Sequence, residues 1–151
     1  MTFLTAHFGP VPADESASIV FPAGLPGFET CRRFTILHHP EQPALIFLQS
    51  LERAELCFLA VPVQMLRRNY DLAVSDEDLA LLGLPAGHRP DPRSEVLALA
   101  ILSLSEGEPP TANLVAPVVV HLAARRAVQA IRSDGAYTCA EPFLEEEAVC
   151  S

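Results

Sequence analysis

A mainly β fold in a single domain is predicted by three features of this sequence. The chain has 151 residues, inside the ~100–200 residues of an ordinary domain and long enough to bury a working core unaided. Its fourteen prolines and seven glycines divide it into many short segments. Those segments are apolar, of strand length, and contain Val, Ile, Phe and Thr between Gly and Pro breaks, which is the pattern of strands joined by turns. Half of the residues are apolar and 19% are charged, which argues against disorder. No fixed-period repeat and no low-complexity linker divides the chain.

The elements follow in order. Thr2 to Phe8, Ser18 to Phe21 and Phe34 to Leu37 are apolar stretches separated by Gly9-Pro10 and Pro22 to Gly27, and the last runs into His38-His39-Pro40. Ala44 to Gln49 and Leu56 to Val61 flank the polar stretch Ser50 to Glu55 and suit a hairpin. One helix start is clear. Ser75 can accept from amides ahead of it, the acids Asp76, Glu77 and Asp78 complement the positive helix end, and Leu79 and Leu82 share a face. Gly83 and Pro85 stop that helix after about two turns, and His88 to Arg93 is a stiff polar loop. Ser94 to Leu104 fits a helix or a strand buried on both faces, since periodicity cannot separate these for so short a run. Val118 to Val120 favours a strand. Leu122 to Arg132 reads as helix by propensity, with a hairpin turning near Ala123 to Arg126 as the alternative. The tail Glu141 to Ser151 carries Glu145-Glu146-Glu147 and is expected to fray, leaving residues 1–140 as the domain.

Charge excludes several functions. The ten basic residues are all arginine, against nineteen acids and a net charge of -9. Without lysine there is no phosphate-binding lysine of the Walker type, no Schiff-base lysine and no Ser-Lys dyad. So acidic a chain repels phosphate backbones, so direct binding of nucleic acid is not expected. The first residues, MTFLTAHFGPVPADE, have no apolar core segment and no arginine precedes Arg32, so they do not resemble a secretory signal. The apolar run Val96 to Leu102 falls far short of the roughly 18 residues of a membrane span. A soluble, cytoplasmic protein is expected, with no membrane partner.

Reactive residues are present without the patterns that would activate them. The histidines His7, His38, His39, His88 and His121 lack the spacing of a helical metal site. Cys31, Cys57, Cys139 and Cys150 form no C-x-x-C pair and read as free thiols. Ser50 and Ser103 lack a nucleophile elbow. The glycines of GLPG, Gly24 and Gly27, do not make a phosphate cradle. Pro26-Gly27 instead supplies the central pair of a type II turn. No cofactor or metal is expected, and the acids at Asp71, Asp76, Glu77 and Asp78 suit the steering of a basic protein partner.

Four strings in this order carry a resemblance: FPAGLPGFE at Phe21 to Glu29, IFLQSLE at Ile46 to Glu52, the segment from Pro62 to Asn69-Tyr70-Asp71, and TANLVAPVVV at Thr111 to Val120. With Gln129 and Tyr137 after them, they resemble the flagellar assembly factor family FliW from about His7 to Tyr137. The resemblance implies a small, non-enzymatic β-barrel-like domain of short antiparallel strands with one or two short helices. It further implies a cytoplasmic antagonist that binds newly made flagellin or, alternatively, the translational repressor CsrA, coupling flagellin synthesis to export. By the same analogy Val96 to Leu104 is a strand and Val118 to Ile131 a hairpin. The sequence departs from the family pattern at His121, where Asn is common, and at Ala123 to Ala127, where a Lys and Gly-rich turn is common. Its acidic tail is also unlike the family's.

The partner-binding candidates each have a structural alternative. Phe28 and Glu29 follow a turn that can display them, although Phe28 can equally plug the barrel end. Gln49 and Ser50 can cap a strand, and Asn113 can satisfy backbone groups at a turn. Tyr70 can pack its ring and keep its hydroxyl at the rim, while Asp71, Asp76, Glu77 and Asp78 are steering charges. The competing reading is a small β-barrel enzyme in which a Cys-His or carboxylate pair meets only in the fold.

Overall fold

The short apolar segments form strands that close on themselves. The computed structural model describes residues 2–6, 8–12, 18–38, 41–42, 44–104 and 106–142. His7, His39, Pro40 and the tail from residue 143, with Glu145 to Glu147 and Cys150, lie outside the described residues. The first hairpin pairs β1 (Thr2–Thr5) with β2 (Gly9–Pro12). Then come β3 (Ile19–Val20), β4 (Arg33–His38), β5 (Ile46–Ser50) and β6 (Cys57–Pro62). Two helices follow, α1 (Val63–Leu66) and α2 (Asp76–Leu82). The remaining strands are β7 (Val96–Ser103), β8 (Thr111–Ala112), β9 (Val118–His121), β10 (Arg126–Gln129) and β11 (Glu141–Pro142).

Strands β3 to β7 pair antiparallel with their chain neighbours. The ring then closes through β7 with β9, β9 with β10, and β10 with β3. Seven strands thus make a barrel, and among the described residues each of the seven is paired on both sides, which removes the free edge that invites aggregation. The closing pair, β10 with β3, is parallel and short: Arg126 faces Val20, and the Val20 amide donates to the Arg125 carbonyl at 3.0 Å. Alternation sorts the side chains. Ile19, Phe34, Leu48, Leu99, Val118, Val120 and Ala127 fill the interior, where the rings of Phe21 and Phe34 meet edge to face at 5.2 Å. On the outer wall Val96, Val119 and Val128 are covered by Leu82 of α2. Val61, Ala98 and Ala100 are covered by Val63 of α1 and by Tyr70 and Leu114.

Strand β7 is therefore buried on both faces, which explains why its sequence shows no alternation. The helix that propensity favours over Leu122 to Arg132 is replaced by the hairpin β9–β10. There Ala127 faces the interior and Val128 lies under α2. This burial on alternate sides outweighs the helix preference of alanine, which is worth only a few tenths of a kcal/mol (~0.5) per residue. The predicted helix stands as α2: Ser75 Oγ accepts from the Asp78 amide at 3.1 Å, and Gly83 ends it at φ 80°.

Candidate functional site

The loop 21–32 is built around glycine. The Phe28 amide donates to the Leu25 carbonyl at 2.7 Å, with Gly27 at φ 86° in the turn position that favours glycine. Gly24 is the tighter constraint. At φ 71°, a Cβ there would stand 2.5 Å from the Glu29 carbonyl oxygen, so the loop closes on itself only without a side chain. Phe28 is half-buried and its ring meets Phe58 at 5.6 Å, edge to face, at one end of the core. Glu29 is exposed, and its carboxylate accepts from the Gly27 amide at 2.9 Å. That bond holds the Glu29 carboxyl below the usual range.

Gln49 and Ser50 are both fully buried. Gln49 Nε2 donates to the carbonyls of Ser50, Ala54 and Leu56 at 3.0, 3.2 and 3.1 Å, while its Oε1 has no partner among the described residues. Ser50 Oγ accepts from the amides of Glu52 and Arg53 at 3.0 and 2.9 Å. Glu52 Oε1 then accepts from the amides of Arg32 and Arg33 at 2.6 and 2.8 Å. The string LQSLE thus ties the β5–β6 turn to the start of β4.

The string ANLVAP is an excursion in a strand. Leu99 faces Val118 and Leu102 faces Ala112, so three steps along β7 answer six on the partner and three residues are extra. Asn113 Oδ1 holds them by accepting from the amides of Val115 and Ala116 at 3.0 and 3.1 Å. Tyr70 Oη donates to the Leu114 carbonyl at 2.6 Å, and Gln129 Nε2 to the Ala116 carbonyl at 3.1 Å.

Beside this excursion lies a cluster that sequence reasoning missed in part. The rings of Tyr70 and Tyr137 stack at 4.3 Å, and the buried Arg132 guanidinium lies 5.4 and 4.8 Å from their centroids. Arg132 Nη1 donates to the Asp71 carbonyl, and its other nitrogens reach Asp134 at 3.1 and 2.6 Å. The Asp71 amide donates to Tyr137 Oη at 2.9 Å. Arg132 holds the Asp134 carboxyl down at about 2, and burial pushes the Tyr70 phenol up. Asp134 is close to Arg132 in the chain, but nothing local marks the pair as part of a buried cluster, because Tyr70 and Asp71 lie some sixty residues earlier.

The acids divide between two clefts on either side of the start of α2. Glu29 and Asp78 line one of about 190 Å³ with Gly24, Pro26, Leu81 and Gln129. Asp71 and Asp76 line another of about 260 Å³ with His88 and Arg89. Glu77 is exposed between them. Asp76 Oδ1 accepts from the Gly87 amide at 2.8 Å, and burial pushes the Asp78 carboxyl up. The structure thus gathers Glu29, Asp71, Asp76, Glu77 and Asp78 around one helix end. Gln49, Ser50, Tyr70 and Asn113 act on the backbone nearby or further round the barrel.

This geometry gives little to an enzyme. Cys31 is buried, and burial pushes the Cys57 thiol up to about 11, away from the thiolate a nucleophile needs. Among the described residues no three His, Cys, Asp or Glu side chains group as metal ligands, and no helix is long and apolar enough to cross a membrane.

Comparison with known proteins agrees with the strings and the barrel. The family model described as FliW protein matches residues 2–143. The chain is 35% identical to the flagellar assembly factor FliW of Azoarcus sp. (strain BH72), covering 82% of this chain and 86% of that protein. It is 32% identical to that of Bacillus licheniformis, covering 95% and 96%. A crystal structure of the flagellar assembly factor FliW superposes with a TM-score of 0.80 at 26% identity, covering 97% of this chain and 99% of the other.

Proposed function

The chain belongs to the FliW family of flagellar assembly factors, a family without enzymatic activity, and from that premise we propose that it works in the bacterial cytoplasm as a switch between two protein partners. In this reading it binds flagellin as it is made and, when flagellin is exported, binds CsrA and removes that repressor from flagellin mRNA. The observation that supports the CsrA arm is the acidic face at the start of α2. A repressor that binds RNA must carry clustered cations. Glu29, Asp71, Asp76, Glu77 and Asp78 offer those cations a complementary surface, while the net charge of -9 keeps the chain off the RNA. Phe28, Gln49, Ser50, Tyr70 and Asn113 serve this face by fixing the loops that carry or border it.

Titration calorimetry of the purified chain with the flagellin and the CsrA of its own source tests the reading. Both are expected to bind at micromolar concentration and to exclude each other. Replacing Asp71 and Glu77 with Asn and Gln is expected to weaken CsrA binding by about tenfold and to flatten its salt dependence, since exposed charge pairs are screened within ~8–10 Å. If neither partner binds in moderate salt, the reading is wrong. If CsrA binding ignores salt, charge has no part in it.

A further inference from the structure

The closing strands carry a patch whose sign is opposite to that of the chain. His121, Arg126, Val20 and Arg33 stand opposite one another in succession across β9, β10, β3 and β4. Residues paired in this way project to one face. Their neighbours Val120, Ala127, Ile19 and Phe34 fill the interior, so this row lies on the outside. Val20 is 39% exposed there, and Leu122, in the adjoining turn, is 48% exposed. Arg125 and Arg126 are exposed beside them, and their side chains have no hydrogen bond or ion pair among the described residues. Arg125 also sits at φ 53°, the one non-glycine with positive φ among the described residues. An arginine there is held in a conformation that favours glycine, and such strain is retained most often where the side chain has work to do.

We propose that Val20, Leu122, Arg125 and Arg126 form a docking surface for an acidic peptide segment that carries an apolar residue between its carboxylates. Guanidinium groups take carboxylates in two-point hydrogen bonds, and the exposed Val20 and Leu122 bury the intervening apolar side chain. Phosphate chains suit the patch less well. They need several cations in a row to release counterions, and they would meet the negative field of the whole molecule. The patch lies at the opposite end of α2 from the acids of its first turn. Arg126 approaches Gly83 at the C-terminal end of α2, where a Cβ would lie 3.8 Å from its Nη1, whereas Asp76, Glu77 and Asp78 occupy the first turn. Among the described residues, Glu95 accepts from the Leu122 amide through its carbonyl and is bonded through its carboxylate to His88 at 2.8 Å, and the Glu52 carboxylate accepts from the Arg33 amide at 2.8 Å.

Fluorescence anisotropy with a short labelled peptide of mixed glutamate and leucine, titrated with the full chain, tests this independently of flagellin and CsrA. Binding is expected to weaken about tenfold between ~50 and ~300 mM salt. Arg125→Gly and Arg126→Gln are each expected to weaken it about fivefold or more, and Val20→Thr to a smaller degree. Arg125→Gly relieves the backbone, so its melting temperature should hold or rise, which separates lost contact from lost fold. Failure to bind, binding unchanged in both arginine variants, or equal binding of a peptide with serine for leucine overturns the proposal. It is equally overturned if single-stranded RNA displaces the peptide, or if the arginines act only in self-association of this chain.

Discussion

Gly24 shows how far a single atom decides this fold. At Gly24 the left-handed backbone and the 2.5 Å approach to the Glu29 carbonyl act together, and the obstacle is backbone, which cannot swing aside. Gly24→Ala is therefore expected to lose more than ~2 kcal/mol, from overpacking added to a disfavoured φ. Urea unfolding monitored by circular dichroism measures it. A loss below about 0.5 kcal/mol would mean that the loop re-closes in another shape. Gly27, also at positive φ, has nothing within 4 Å of a Cβ, so alanine there should cost only the conformational part, roughly 1 kcal/mol. The contrast between the two separates steric from conformational demand in one loop. Arg132 is the opposite case, where a charge is kept in the interior because everything around it is matched. Two ring faces, a carbonyl and a carboxylate surround its guanidinium, and a cation that is matched in this way is tolerated where a bare one is not.

At the scale of elements, the three-residue excursion between β8 and β9 shows motif residues acting through backbone. Asn113 provides one oxygen for two amides. Asn113→Ala leaves both without that acceptor and should cost about 1–3 kcal/mol. Asn113→Asp keeps an acceptor and should recover most of the loss. Thermal unfolding of the pair checks this, and equal loss in both would assign the residue's effect to packing. The element also shows what a single sequence can disclose. Helix α2 was readable because its signals are local: Ser75 at the start, Gly83 at the end, Leu79 and Leu82 between them. The strand character of Val96 to Leu104 and the β9–β10 hairpin were not, because their pattern is set by what covers each face, and α1, α2 and Tyr70 cover them from elsewhere in the chain. The family strings, and not local pattern, imply both. The candidate site divides the same way. Acids at a helix start are visible in sequence, whereas their separation into two clefts depends on the packing of 21–29 and 85–90 against α2.

The whole molecule carries a surplus of acid, and its carboxylates are not equivalent. Amide bonds or cations lower five of them: Glu29 through the Gly27 amide, Asp91 through the Arg93 amide, Glu95 through His88, Asp134 through Arg132, and Glu55 through its own backbone and then Arg53. Burial raises Asp78. A carboxyl whose pKa falls on folding binds its proton more tightly in the unfolded chain. Its stabilisation is present above the unfolded pKa and is lost as pH falls through the folded one. For Asp134 the window runs from the ordinary 3.8 down to about 2. Asp78 works in the other direction, since protonation suits the folded chain better, but one such group stands against five. The melting temperature is therefore expected to hold near neutral pH and to fall as pH drops from roughly 4.5 towards 2. Asp134→Asn should lower it at neutral pH and make the acid limb shallower, because part of what acid removes is already gone. Calorimetric scans of both proteins across that range measure the difference. An acid limb of the same depth in the variant would show that the Arg132–Asp134 pair adds nothing to folding, and that the stacked tyrosines and the Asp71 carbonyl alone hold the buried guanidinium in place.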